Sequence, residues 1–187
     1  MNNTTHSVRL RSTFAPMSLI IRLASAADAQ LIADISQQTF YDTFAADNRT
    51  EDMHKFLTQQ FTKGRLMMEV GTPENTFFLA FDNTIAAGYV KLRDAKKPTA
   101  LFPFNALEVA RIYATKEMIG KGVGKALMQK SIAIAKERNK EVIWLGVWEK
   151  NKRAIDFYTR WGFVKFGECD FLLGDDVQRD WLMKKML

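Results

Sequence analysis

Leu107-Glu108-Val109-Ala110-Arg111-Ile112-Tyr113-Ala114, followed after a short link by Gly120-Lys121-Gly122-Val123-Gly124-Lys125, is the stretch that decides the reading of this chain. The first eight residues have strand character. Three glycines in five residues come next, and then a helical period from 123 to 138. On a helical wheel Val123, Leu127, Met128, Ile132, Ile134 and Ala135 share one broad face, while Lys125, Gln129, Lys130, Lys136 and Glu137 share the other. The segment 141–148, Glu-Val-Ile-Trp-Leu-Gly-Val-Trp, is nearly all apolar and reads as a strand buried on both faces. Strand, glycine turn, helix and strand make one βαβ crossover.

The turn carries the first chemical hint. A helix N-terminus presents unpaired N–H groups and a partial positive charge, so it attracts anions. Gly122 and Gly124 have no Cβ to keep phosphate oxygens from the backbone, and Lys121 and Lys125 add charge. Taken alone, the loop is also compatible with a plain flexible turn. It is not a Walker A loop, because no Gly-Lys-Ser/Thr follows at the required spacing. It is a poor dinucleotide fingerprint, because Glu141, the acid about twenty residues on, opens a strand instead of ending one.

Working outward, 18–23 reads as a strand and 28–44 as a helix, with Leu31, Ile32, Ile35, Thr39 and Phe40 at helical spacing. A second helix starts at Thr50 with acids in its first turn and runs to about Phe61, and 65–70 forms a further helical turn. Residues 76–81 and 85–93 make a hairpin about Asp82-Asn83. Residues 94–105 form a loop with Pro98 and Pro103. Asn151 caps a short helix that Gly162 ends, and 164–173 and 177–186 form a last hairpin. The layout is mixed α/β with one central βαβ crossover. Residues 1–17 are polar and lack the apolar core of a secretory signal, so they read as a flexible tail ahead of a single domain over 18–187.

Composition narrows the function classes. Hydrophobic residues are 47% and charged residues 26% of the 187-residue chain, the profile of a soluble globular protein. No apolar run approaches a membrane span. The one cysteine, Cys169, excludes an internal disulfide framework and points to a reducing, cytoplasmic location. No metal is expected, because no His/Cys/Asp/Glu cluster is visible. The net charge of +6 reads as a generic basic surface or as attraction for a polyanion, either nucleic acid or a phosphate-bearing coenzyme; its spread along the chain without a long basic run argues against a dedicated nucleic-acid surface.

The downstream pattern gives the glycine loop its context. Asn151, Ala154, Phe157, Tyr158, Gly162 and Phe163 stand at the spacing Asn-x-x-Ala-x-x-Phe-Tyr-x-x-x-Gly-Phe. With the loop, this resembles the GCN5-related N-acetyltransferase (GNAT) family. The loop matches the family's Gln/Arg-x-x-Gly-x-Gly/Ala motif except that Ile119 stands at the leading position. The resemblance covers most of 18–187 and implies a mixed, mostly antiparallel central sheet flanked by helices. Within the family, the bacterial PaiA-type spermidine/spermine N-acetyltransferases are the nearer likeness, through 39–44 (Thr-Phe-Tyr-Asp-Thr-Phe), Arg111-Ile112-Tyr113, 144–151 and 173–176.

The resemblance implies transfer of the acetyl group of acetyl-CoA to a primary amine, polyamine-like and small, by direct attack in a ternary complex. It places the pantetheine on backbone groups of Ile112, Tyr113 and Ala114. The pyrophosphate falls on the amides of Gly120, Lys121, Gly122, Val123, Gly124 and Lys125, with Asn151 touching the cofactor. Tyr158 stands where the family has the acid that protonates the departing thiolate, a role suited to a phenol of pKa about 10. Glu108 is the expected base, acting directly or through water; a strand-edge ion pair is the other reading of it. Asp42, Asp175 and Asp176 are weaker candidates for attracting a cationic substrate. Specificity is expected from 40–65 and 94–106. Alternatives are a peptide N-acetyltransferase, a non-catalytic acyl-CoA sensor and a basic nucleic-acid-binding module. A homodimer through Phe171, Leu172 and Trp181 of the last hairpin is a further possibility.

Overall fold

The computed structural model describes residues 19–95 and 97–187, so the expected tail at 1–17 lies outside the described residues. The strands are β1 (Leu19–Leu23), β2 (Asn75–Asp82), β3 (Ile85–Arg93), β4 (Ala106–Ala114), β5 (Val142–Trp148), β6 (Val164–Leu173) and β7 (Asp176–Met186). They form one sheet in the order β1-β2-β3-β4-β5-β7-β6. All neighbours are antiparallel except β4 and β5, the pair joined by the crossover helix. The sheet is therefore mixed and mostly antiparallel, as the resemblance implied.

Helices cover both faces. On one face lie α4 (Val123–Glu137) and α5 (Lys152–Arg160). Val123, Leu127, Met128, Ile134 and Ala135 of α4 pack there against Val90, Leu107, Ile143 and Leu145. Ser131 is also buried on that face, with its hydroxyl donating to the Leu127 carbonyl at 2.8 Å, while Ile132 is only partly buried. On the other face lie α1 (Ala29–Phe44), α2 (Thr50–Gln60) and α3 (Lys63–Gly71). Ile32, Phe40, Met53 and Leu66 pack there against Phe77, Leu79 and Tyr89. α2 starts at Thr50 as expected, and the Nε of Arg49, the residue before it, donates to Asp52 at 2.6 Å.

Two local features open the sheet at its centre. The register between β3 and β4 shifts so that Lys91 faces Arg111 and Leu92 faces Val109, which leaves Ala110 as an extra residue in β4. Such a bulge bends its strand. Beyond it, β4 leaves β5: the two pair only at Ala106↔Val142, Leu107↔Ile143 and Glu108↔Trp144. From there β4 continues along β3 alone and β5 along β7 alone, so the strands diverge like a V whose open end faces the N-terminus of α4.

The last hairpin forms as expected, with β7, its second strand, pairing with β5. Phe171 is turned inward against Phe56, ring centres 5.4 Å apart, and Trp181 packs on the α4-side core beneath Lys165. Of the three residues considered for a dimer contact, only Leu172 is exposed.

Candidate active site

The V between β4 and β5 is the floor of a cavity of about 780 Å³, within the range of small-molecule sites. Its walls come from β4, the glycine turn, α5, β5, the β6–β7 hairpin and the α1–α2 region. Backbone polarity makes the floor reactive. The Thr115 N–H donates to the Ala87 carbonyl at 2.9 Å, so by the alternation of an antiparallel ladder Tyr113 also turns its backbone groups to β3. Ile112 and Ala114 therefore point their N–H and C=O groups into the gap. Of the three residues expected to hold the coenzyme arm through their backbone, these two are free to do so, and Tyr113 meets the cavity by its side chain.

At the open end, Gly122 caps α4 with φ +89° and Gly120 has φ +80°, conformations that favour glycine. No side chain caps the helix. The first backbone bond into it runs from the Ala126 N–H to the Gly122 carbonyl at 2.9 Å, which leaves the amides from Gly122 to Lys125 without helical acceptors. Gly120, Gly122, Gly124, Lys125 and Ile119 line the cavity. Val123 is instead fully buried beneath the helix and Lys121 is exposed outside the lining, so these two can contribute through their amides. A row of open amides with a nearby lysine fits a pyrophosphate.

α5 forms the facing wall. The Asn151 side chain accepts from the Ala154 N–H at 3.1 Å, so it caps the helix and also lines the cavity. Two turns on, Tyr158 is buried between Phe157 and Phe163, ring centres 5.4 and 5.9 Å away. Burial alone pushes its phenol well above its ordinary pKa, with no contribution from a hydrogen bond. The residue lines the cavity as a fully protonated donor. Arg153 and Arg160 of the same helix add positive charge on this side.

The wall on the α1–α2 side is aromatic, with Phe40, Phe44, Phe56, Phe61 and Trp148. Beneath it lies a charge cluster. Glu69 of α3 accepts from Arg111 at 2.7 and 3.2 Å and from Lys91 at 2.9 Å. Burial opposes the Glu69 charge, but Arg111 and Lys91 outweigh it and hold the carboxyl below its ordinary pKa. Arg111 also lies over the Phe61 ring at 5.0 Å.

Glu108, the expected base, is not in the lining. It sits at the closed end of the V, buried, and holds a two-point ion pair with Arg93 at 2.5 and 2.8 Å. Both carboxylate oxygens are committed, and this geometry corresponds to the ion-pair reading of the residue. Asp42 is exposed, Asp175 pairs with Lys55, and neither lines the cavity. Cys169 is exposed on β6, also outside the lining. Segment 40–65 supplies Phe40, Thr43, Phe44, Phe56, Gln60 and Phe61, whereas none of the lining comes from the described residues of 94–106.

One residue that sequence reasoning passed over stands out. Asp180 of β7 is half-buried in the cavity wall, and burial pushes its carboxyl up to about 6. In the sequence it looks like any acid of a polar strand; only the pairing of β7 with β5 brings it to the gap.

The pattern over 32–163 matches the model of the acetyltransferase (GNAT) family. The chain belongs to that family. The match runs from α1 through the glycine turn to Phe163, so it takes in every wall of the cavity except the β6–β7 hairpin. An uncharacterised N-acetyltransferase from the pepI 3′ region of Lactobacillus delbrueckii subsp. lactis is 43% identical over 154 residues, covering 82% of this chain and 88% of that protein. The spermidine N(1)-acetyltransferase of Thermoplasma acidophilum is 23% identical over 151 residues, covering 79% and 89% respectively. Among solved structures, the PaiA N-acetyltransferase of Thermoplasma acidophilum in complex with coenzyme A superposes with a TM-score of 0.77 at 22% identity, over 91% of this chain and all of that one. This GNAT chain shares the fold of that structure. No helix among its described residues is long and apolar enough to cross a membrane, and no group of three or more potential metal ligands occurs among them.

Proposed function

We propose that this GNAT chain transfers the acetyl group of acetyl-CoA to the primary amine of a small molecule, by direct attack in a ternary complex. The observation that carries the proposal is the convergence on one cavity of the open amides of α4, the free backbone of Ile112 and Ala114, and the protonated Tyr158. In this reading the amides from Gly122 to Lys125 bind the pyrophosphate. The gap edge of β4 pairs with the pantetheine as a strand would, with Asn151 beside it. A backbone N–H of Ile112 or Ala114 faces the developing oxyanion. The phenol of Tyr158 delivers its proton to the departing sulfur.

The acceptor best supported is a polyamine. The name of a relative, a spermidine N(1)-acetyltransferase, favours it. So do Asp170 and Asp180 in the cavity wall, both suited to ammonium groups. An aromatic cavity wall with Phe40, Phe44, Phe56, Phe61 and Trp148 fits a slender amine better than a folded protein surface.

The test is thiol release from acetyl-CoA in the presence of spermidine, for wild type and Tyr158→Phe. Loss of a general acid costs roughly 10²–10⁴-fold in kcat, with acetyl-CoA affinity unchanged. A variant that keeps the full rate removes Tyr158 from the mechanism.

A further inference from the structure

At neutral pH a primary amine is an ammonium, and only its free base attacks a thioester, so acetyl transfer needs a proton acceptor inside the cavity. Glu108 is paired with Arg93 outside the lining. Asp170 is exposed. Asp180 differs from both. It lies opposite Trp148 of β5 and Cys169 of β6 in the sheet register. Its side chain reaches over Gly146 of β5, where an added Cβ would stand 3.3 Å from Oδ2. The missing side chain at Gly146 therefore gives the carboxylate room beside the gap between β4 and β5. Tyr113 on β4, Tyr158 on α5 and Asp180 line the same cavity, so the carboxyl and the phenol open onto one space.

Asp180 also lacks a counter-ion among the described residues. The cations of the acceptor wall are engaged elsewhere, Lys91 and Arg111 with Glu69 and Arg93 with Glu108. The titratable groups that feel the Asp180 charge are Tyr113 from β4 and Cys169 from β6, neither of them positive; Cys169 also feels Asp170 and the Arg93-paired Glu108. Burial is the sole cause of its raised pKa, about 6. Carboxylates in protein interiors are normally paired. One left unpaired in a cavity wall, and tuned close to neutrality, is suited to bind and deprotonate a cation.

We propose that Asp180 binds the ammonium group of the acceptor and takes its proton, which makes it the catalytic base. The proposal rests on the acetyl-transfer reading above. One N–H bond breaks, the proton passes to the Asp180 carboxylate, and the freed lone pair forms the C–N bond at the acetyl carbonyl. The C–S bond then breaks and the sulfur takes the proton of Tyr158. The nitrogen's second departing proton restores that phenol, and the proton on Asp180 returns to water.

The experiment is kcat against pH at saturating acetyl-CoA and spermidine for wild type, Asp180→Asn and Asp180→Glu, with acetyl-CoA affinity measured by calorimetry. Wild type is expected to rise with pH through an apparent pKa near 6. Asp180→Asn is expected to lose that limb and roughly 10²–10⁴-fold of the neutral-pH kcat while binding acetyl-CoA as wild type does, and Asp180→Glu to recover part of the rate. A less basic, β-fluorinated amine is expected to suffer a smaller loss in Asp180→Asn than its parent amine. The proposal is overturned if Asp180→Asn keeps the wild-type rate and limb, or loses acetyl-CoA affinity in step with rate, which marks a structural role. If wild type binds acetyl-CoA but acetylates no amine, the acetyl-transfer reading itself falls, a result distinct from either.

Discussion

Gly88→Ala is the perturbation that tests most sharply how the floor of the cavity is held. Gly88 sits in β3 opposite Ala114. A Cβ there would overlap the Tyr113 carbonyl oxygen and stand 3.0 Å from the Ala114 Cα and 3.1 Å from Val123 Cγ1. Two of these are backbone atoms of a paired strand, so neither can rotate away, and β3 must separate from the end of β4. Overpacking of this kind costs about 1–3 kcal/mol, and an obstacle made of backbone favours the upper end. The ordinary advantage of Ala over Gly in a strand, about 0.5–1 kcal/mol, offsets part of it. A net loss of about 2 kcal/mol in a chain of 187 residues lowers the melting temperature by roughly 4–8 °C. The same displacement moves Ile112 and Ala114, the groups assigned to the coenzyme arm. A shift of about 1 Å there costs up to about 10²-fold in kcat/KM. Thermal unfolding and thiol-release kinetics measure the two effects. The control is Gly64→Ala in α3, where an added Cβ meets nothing within 4 Å and a gain of about 0.5–1 kcal/mol is expected. A Gly88→Ala protein that melts at or above the wild-type temperature refutes the close-packed account of this strand pair.

Two further outcomes follow from the site. Gly122→Ala forces an L side chain to φ +89°, costing about 1–2 kcal/mol or tilting the first turn of α4, so acetyl-CoA affinity measured by calorimetry should fall. Glu69 has a depressed folded-state pKa, so its contribution to stability is complete above the ordinary glutamate value of about 4.3. That contribution is lost as pH falls through this value toward the folded-state pKa. Glu69→Gln should therefore lower stability at neutral pH, where Lys91 and Arg111 lose their shared carboxylate, and should flatten the acid limb in denaturant titrations between pH 3 and pH 7, a range taken from the reference pKa of about 4.3.

The elements were legible where period and punctuation agreed. The α4 face, the Asn151 cap and both hairpins follow from local chemistry, and the βαβ crossover follows from their order. What escaped depends on pairing across the sheet. The bulge at Ala110 and the divergence of β4 from β5 leave no trace in a strand that alternates normally on either side. The strand position of Glu108 suits a base, but Arg93, fifteen residues earlier, claims its carboxylate. Asp180 carries no local signal, because its setting is made by Gly146, on a strand 34 residues away. Tyr113 is indistinguishable from Ile112 and Ala114 in the sequence, although the ladder turns its backbone the other way. The glycine turn is visible in the sequence, but only the fold shows that it opens onto the same cavity as Tyr158.

The most direct test of that convergence is to incubate the wild-type chain with acetyl-CoA and a panel of small amines that includes spermidine, following thiol release and identifying products by mass spectrometry. The account predicts amine-dependent thiol release matched by acetylation of a primary amine. Binding of acetyl-CoA without acetylation of any amine in the panel would contradict it.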